Sequence, residues 1–197
     1  MKFLIVELIL LMAGCTPKTE QNEPELRRTA VNTDETERLA VPVEVTVGEA
    51  STPLLDDSEP RVNNINIACG EINGVAIYPG GTFSFNETVG KRSSAKGYED
   101  APVLINGHKE QGCGGGVCQV STTIYMAALQ AGLQIDERHP HAHGVGYAPE
   151  DMDATVVFGE KDFRFTNNTN DVLTLSVWTD GKAVFSKITK KSLTNNR

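Results

Sequence analysis

A cysteine, a histidine and an aspartate follow one another along this chain in settings that suit nucleophilic catalysis. Cys118 follows the glycine run 114–116 after one intervening residue, Val117, and stands at the start of a predicted helix. Unpaired backbone N–H groups and the helix dipole stabilise an anion there, which lowers the pKa of a thiol below about 8.5. His141 follows in a loop after the next predicted strand, and Asp153 begins the strand after that. Because a thiolate nucleophile needs a base and a group that orients the base, we predict a catalytic Cys118–His141–Asp153 triad.

Residues around the cysteine are candidates for binding a substrate. The glycines allow close approach to a ligand, and their N–H groups, with the side-chain amide of Gln119, could form an oxyanion site. Arg138 could bind a carboxylate through two hydrogen bonds, although a salt bridge with neighbouring acidic residues is an alternative. Tyr147 could line a groove or pack in the core. The predicted substrate-binding set is Gly114, Gly115, Gly116, Gln119, Arg138 and Tyr147.

Cys118 also has interpretations without catalysis. It could be a small core residue where the glycine turn meets the helix. It could form a disulfide with Cys113, for which Cys69 is a competing partner. A zinc site is a further alternative, built from Cys113, Cys118 and two of His139, His141 and His143, but the cysteine spacing is wider than in usual zinc knuckles. We therefore predict no metal and no cofactor.

Residues 1–15, MKFLIVELILLMAGC, have the form of an export signal. Lys2 precedes an apolar stretch that is too short to span a bilayer. Ala13 and Gly14 before Cys15 resemble the bacterial lipoprotein signal, in which the cysteine is lipidated and becomes the new N-terminus. A cleaved secretory signal and a short uncleaved anchor are the alternatives. Each of them places the folded part outside the cytoplasm, and lipidation of Cys15 would anchor it to the membrane.

Composition divides the rest of the chain. Residues 16–58 are rich in Thr, Glu, Asn and Pro and contain no aromatic residue, which predicts a flexible tether. Within it, LAVPVEVTV (39–47) predicts a short strand that Pro42 confines to a sheet edge. The predicted domain covers 59–190, and 191–197 form a tail. With 18 Lys and Arg against 26 Asp and Glu, the net charge of −8 argues against nucleic acid as a partner.

The pattern of the domain predicts an α+β fold with a largely antiparallel sheet and a few helices. Apolar spacing predicts helices at 61–72 and about 118–131. The Asn106-Gly107 pair predicts a hairpin after APVLI. Further predicted strands are VAIY, TFSF, LQIDER, DATVVF, DFRF, VLTLSVW and AVFSKI, with Trp178 in the core. A cysteine on a helix followed by histidine and aspartate on later strands has the layout of transglutaminase-like and papain-like folds.

Several motifs in order resemble the VanW family, which takes its name from an accessory protein of vancomycin-resistance gene clusters. They are PGGTFSFN (79–86), GY (97–98), GGGVCQVSTT (114–123), ERHPH (137–141) and DATVVFG (153–159). The resemblance covers about residues 61–178. Cys113 departs from it, since a variable apolar residue is expected there, and HAHGVGY carries an extra histidine and glycines. The resemblance implies a bacterial cell-envelope protein associated with peptidoglycan or with the glycopeptide response.

Two functions follow as hypotheses. One is a cysteine-dependent amidase or acyl transferase that acts on peptidoglycan stem peptides or their precursors. The other is a noncatalytic envelope module that binds peptidoglycan or serves as a scaffold. Hydrogen-bond proximity between His141 and Cys118 would favour catalysis, whereas a distant histidine would leave a binding or structural site.

Overall fold

The two long helices of the computed structural model, which describes residues 41–105 and 108–194, form where the apolar spacing predicts them, and a short third helix was not predicted. α1 (Glu59–Ile72) has a proline in its first turn, where the missing N–H is no loss, and buries Ile65 and Ile72. α2 (Phe85–Val89) is a short helix capped by the side chain of Ser84. α3 (Val117–Gln130) buries Val120 and Ile124 and packs on strands of the largest sheet.

All strand pairs in the described ranges are antiparallel, and the predicted α+β class is confirmed. The largest sheet has the order β1 (Val41–Pro53), β9 (Ala183–Thr194), β8 (Leu173–Thr179), β2 (Val75–Ile77). A second sheet has the order β3 (Thr82–Ser84), β7 (Arg164–Thr166), β6 (Gln134–Glu137). β4 (Asp100–Ile105) and β5 (His108–Cys113) form the predicted hairpin, whose turn at 106–107 lies outside the described residues.

The predicted edge strand 39–47 is longer than expected. β1 pairs with β9 along its whole length and occupies the edge of the sheet, which suits Pro42. The sheet therefore includes residues 41–53 of the predicted tether, and β9 extends into the predicted tail as far as Thr194. Residues 1–40, with the predicted signal and Cys15, lie outside the described residues, as do 195–197. Within the described ranges, every helix is too short or too polar to cross a bilayer.

The predicted strand DATVVF is wrong. Residues 153–158 contain only an isolated bridge between Val157 and Lys161. The N–H of Ala154 donates to Thr122 Oγ1 at 3.0 Å, and its carbonyl accepts from Ser121 Oγ at 2.7 Å. Because side chains of α3 satisfy this backbone, the segment packs on the helix without a partner strand.

The prediction that Trp178 is a core residue is also wrong. Along β8 the buried side chains alternate through Leu173, Leu175 and Val177, so Trp178 points to the opposite face. It is 43% exposed and stacks on Phe185 of β9, with ring centroids 5.3 Å apart.

Gly48 allows β1 to approach α3 closely, and this contact is testable. A Cβ at Gly48 would overlap the carbonyl oxygen of Ala127 and lie 2.8 Å from Ala131 Cβ. We expect Gly48→Ala to lower the free energy of unfolding in urea by about 1–3 kcal/mol, the usual cost of overpacking. The control is Gly70→Ala on α1, where a Cβ meets nothing within 4 Å and should be neutral or stabilise by about 0.5–1 kcal/mol. Equal destabilisation of both variants would contradict the close contact.

Candidate active site

A glycine turn places Cys118 in the first turn of α3. Gly116 has a φ of 103°, which favours glycine, and it directly precedes the helix. A Cβ on Gly115 would lie 2.6 Å from the carbonyl oxygen of Ala101, so the turn packs directly against β4. Among the described hydrogen bonds, the turn uses the N–H groups of residues 114, 115, 117 and 119 but not that of Cys118. The N–H of Cys118 is therefore an open donor at a helix N-terminus.

The carboxylate of Asp153 holds the loop that carries His141. Its Oδ2 accepts from the backbone N–H of His141 at 2.7 Å and lies 2.5 Å from Nδ1 of the ring. Arg138 donates to Asp153 Oδ1 at 2.9 Å and to its backbone carbonyl at 2.6 Å. The side chains of His141 and Asp153 are only 8% and 10% exposed. The carboxylate thus fixes both the orientation and the tautomer of the imidazole.

The thiol of Cys118 donates to the carbonyl oxygen of Val156 at 3.6 Å, and His141 is close enough to Cys118 that each group shifts the pKa of the other. Because Nδ1 faces Asp153, Nε2 is the ring nitrogen left for the thiol. Burial opposes ionisation of Cys118, but the neighbouring His141, with smaller contributions that include Arg92, lowers the pKa of the thiol. Burial also opposes the charge on His141, but its interactions with Cys118 and Asp153 raise the pKa of the imidazole. These opposite shifts favour a thiolate–imidazolium pair.

Cys118 and His141 line a cavity of about 500 Å³, which we call the Cys118 cavity, and Asp153 lies behind His141. Its size suits a small-molecule or peptide ligand. The apolar residues of the lining include Val117, Val156 and Phe158, and the polar residues include Tyr147 and Thr155. Three cations, Arg61, Lys91 and Arg92, complete the lining, which contains no Asp or Glu.

The predicted substrate-binding residues divide in the structure. Gly114, Gly116, Gln119 and Tyr147 line the Cys118 cavity, whereas Gly115 and Arg138 do not. Arg138 binds Asp153 and lies over the ring of Tyr125, 5.4 Å from its centroid, so it supports the triad from behind.

Gln119 also differs from the prediction, because its amide is already engaged. Nε2 donates to the carbonyl of Pro53 at 2.9 Å and to the Thr52 hydroxyl at 3.1 Å. Oε1 accepts from Arg61 Nη2 at 3.0 Å. The side-chain amide therefore connects α3 to β1, and the backbone donors of the helix are better placed than this amide to stabilise an oxyanion.

The disulfide and zinc alternatives are not assembled in the structure. Cys69, Cys113 and Cys118 are each unpaired. Cys69 lies in the core, where burial raises the pKa of its thiol to about 12. His139 interacts with Glu137 at 2.9 Å. In the described ranges no three His, Cys, Asp or Glu side chains cluster as metal ligands.

Sequence reasoning missed the cationic wall. Arg61 comes from α1, and Lys91 and Arg92 come from the loop after α2, so no local spacing links them. The only signal was the Lys91–Arg92 pair beside Gly90 in an acidic chain. Thr155 and Val156 belong to DATVVF, which the sequence pattern predicts as a strand.

The fold and the site define an α+β domain with a Cys–His–Asp cluster at the N-terminus of a helix. Within that class, residues 60–189 match the family model described as VanW like protein, and the chain belongs to the VanW family. It is 36% identical over 151 residues to the uncharacterized protein YoaR of Bacillus subtilis (strain 168), covering 77% of this chain and 50% of YoaR. No solved structure matches the chain.

A second relative is the vancomycin B-type resistance protein VanW of Enterococcus faecalis (strain ATCC 700802 / V583). The identity is 30% over 137 residues, which covers 66% of this chain and 49% of that protein. The chain thus spans about half the length of the curated relatives it matches. These matches show membership of the family.

The dependence of Cys118 on Asp153 can be measured by alkylation. The rate at which iodoacetamide alkylates Cys118 should increase with pH, and the midpoint of this profile should lie at a lower pH than for an ordinary thiol, because the pKa of Cys118 is lowered in the folded protein. Asp153→Asn removes the charge that stabilises the imidazolium, so the profile should move to higher pH and the rate near pH 7 should fall by about tenfold, the effect of one pKa unit. Asp151→Asn makes the same change at an exposed neighbour and should leave the profile in place. An ordinary thiol profile for the unmodified protein would contradict the ion pair.

Proposed function

We propose that this VanW-family protein acts in the bacterial cell envelope and uses Cys118 to cleave or transfer an acyl group of a peptidoglycan stem peptide. The observation that carries the proposal is the series Cys118–His141–Asp153, in which Asp153 is hydrogen-bonded to His141, and His141 lowers the pKa of the Cys118 thiol beside it in the Cys118 cavity. The predicted lipoprotein signal at 1–15 supports the compartment. The E. faecalis relative is named for resistance to vancomycin, a glycopeptide antibiotic, and this supports peptidoglycan as the substrate class.

The first half of the proposed reaction is acylation of the thiol. The Cys118 thiolate attacks the carbonyl carbon of an amide, and a C–S bond forms while the carbonyl π electrons move to oxygen. When the tetrahedral intermediate collapses, the C–N bond breaks and the imidazolium of His141 gives its proton to the departing amine. The products of this half-reaction are a thioester on Cys118, a free amine and a neutral imidazole.

The second half returns the thiolate. Water, or the amine of a second peptide, loses a proton to His141 as it attacks the thioester carbonyl, and the C–S bond breaks. Water as the acceptor gives amide hydrolysis, and an amine gives acyl transfer. The charged Asp153 balances the imidazolium at each stage in which His141 is protonated; burial opposes ionisation of this carboxyl, but its bonds to His141 lower its pKa.

The negative oxygen of each tetrahedral intermediate needs donors that are oriented in advance. The open N–H of Cys118 lies next to the reacting sulfur, in the first turn of α3 where the helix dipole is positive. One such donor lowers a barrier by about 3–4 kcal/mol in well-studied hydrolases.

Turnover of defined muropeptides tests the proposal. We expect the protein to release or exchange an amine from at least one stem peptide. Cys118→Ser should lower the rate by about 100-fold or more, because a serine hydroxyl does not ionise to a nucleophile as the cysteine thiol does. A thioester adduct on Cys118, seen by mass spectrometry after rapid acid quench, would identify the intermediate. His141→Ala should abolish the adduct as well.

The matched control is Cys69→Ala, which removes a thiol from the core and outside the Cys118 cavity. It should keep the turnover of the unmodified protein. Binding of muropeptides that is equally tight for the protein and for Cys118→Ser, without turnover by either, would instead support the noncatalytic envelope module.

A further inference from the structure

We propose that the Cys118 cavity contains a carboxylate subsite formed by Arg61, Arg92 and Thr155. The acyl donor is then a peptide with a free carboxylate close to the bond that Cys118 attacks. This inference rests on the proposed function, because it takes Cys118 as the reacting group.

The first observation is positive charge that is not in a salt bridge with a carboxylate. Arg61 and Arg92 are half-buried, and within the described ranges neither forms a salt bridge with a carboxylate. Arg92 donates instead to Asn86 Oδ1 at 2.7 Å and to the carbonyl of Gly90 at 2.9 Å. Charged groups that leave water are normally paired. Two unpaired guanidinium groups in one small cavity therefore point to an anionic ligand.

The second observation is a pair of buried polar atoms without partners. Arg61 Nε and Thr155 Oγ1 are buried and make no hydrogen bond in the described structure, and both residues line the Cys118 cavity. Such atoms are rare because each costs about 1–3 kcal/mol when left unsatisfied. Arg61 Nη2 is meanwhile held by Gln119 Oε1 at 3.0 Å, which keeps the guanidinium in place. An N–H and a hydroxyl are each donors that a carboxylate can satisfy.

The third observation is the position of this charge relative to the reacting thiol. The same cavity wall holds the cations and Cys118, and Arg92 is close enough to interact electrostatically with the sulfur. A carboxylate held by the cations therefore leaves a nearby carbonyl within reach of Cys118. The apolar residues Val156 and Phe158 also line the Cys118 cavity and suit a small aliphatic side chain on the same peptide.

Two alkylating reagents of almost the same size test the subsite. Iodoacetate carries a carboxylate, and iodoacetamide replaces it with a neutral amide. The measured quantity is the second-order rate constant of iodoacetate at Cys118 divided by that of iodoacetamide. We correct this ratio by dividing it by the same ratio for a small neutral thiol under the same conditions. At low ionic strength the corrected ratio should exceed about ten, the effect of one charge-assisted hydrogen bond. The excess should fall as salt is added. A corrected ratio near one at all salt concentrations would overturn the inference.

Variants assign the effect to the subsite. Arg61→Met should bring the corrected ratio down towards one, because division by the iodoacetamide rate removes any general change in the reactivity of Cys118, and Arg61→Lys should restore part of the ratio. Arg164→Met is the matched control, because Arg164 pairs with Glu87 outside the Cys118 cavity. Thermal unfolding of each variant shows whether the variant is still folded. The corrected ratio of the unmodified protein tests the subsite independently of every variant. If Arg164→Met lowers the ratio as much as Arg61→Met, the subsite is misassigned.

Protection experiments distinguish the source of the carboxylate. N-acetyl-alanyl-alanine has a terminal carboxylate, its amide has none, and N-acetylglutamic acid α-amide has one only on its side chain. We expect the first to slow iodoacetamide alkylation of Cys118 and its amide to have no effect, while the third shows whether a side-chain carboxylate is also accepted. Inorganic phosphate that protects as well as the peptide acid would overturn the carboxylate assignment. An ordinary pH profile for iodoacetamide would instead contradict the proposed function, so the two failures are distinguishable.

Discussion

The buried polar face of the first half of α3 is the constraint on which the rest of the site depends. Gln119, Ser121, Thr122 and Thr123 are all buried, although each carries groups that must keep hydrogen bonds when they leave water. Their partners come from two distant parts of the chain. Thr123 and Gln119 bind Thr52 of β1, and Ser121 and Thr122 bind Ala154. Such a network tolerates few other arrangements, because each lost partner leaves an unsatisfied group in a region of low dielectric constant.

The same network explains how three separate segments meet at one thiol. Ala154 is held by the helix, and its neighbour Asp153 is thereby placed beside His141. On the other side, Gln119 links Pro53 of β1 to Arg61 of α1. Cys118 lies between these two sets of contacts, in the turn that precedes them. The reacting group is therefore positioned by a rigid helix, and its partners by side chains of that helix.

Features formed by residues close together in the sequence could be predicted, and features formed by distant residues could not. Ile65 and Ile124 lie on buried helix faces that the spacing of apolar residues predicts. The β4–β5 hairpin was predictable because its two strands are consecutive in the sequence. DATVVF could not be predicted in the same way, because hydroxyl groups of α3 replace a partner strand. The exposure of Trp178 depends on which face of β8 is buried in the sheet. The triad was accessible because each residue type carries its own chemistry, whereas the cationic wall joins residues whose meeting only the tertiary structure determines.

The charges of the site also constrain one another. Arg92 and the imidazolium of His141 both favour the thiolate of Cys118, but a bound carboxylate would cancel part of the field from the arginine. The thiolate must then depend on His141, and His141 depends on Asp153 to keep its proton. A network in which Arg138 and two bonds to His141 hold Asp153 in place meets this requirement, because the imidazolium keeps its counter-ion whether or not the cavity is filled. Asp153 is thus most important when the negative charge of the substrate destabilises the Cys118 thiolate.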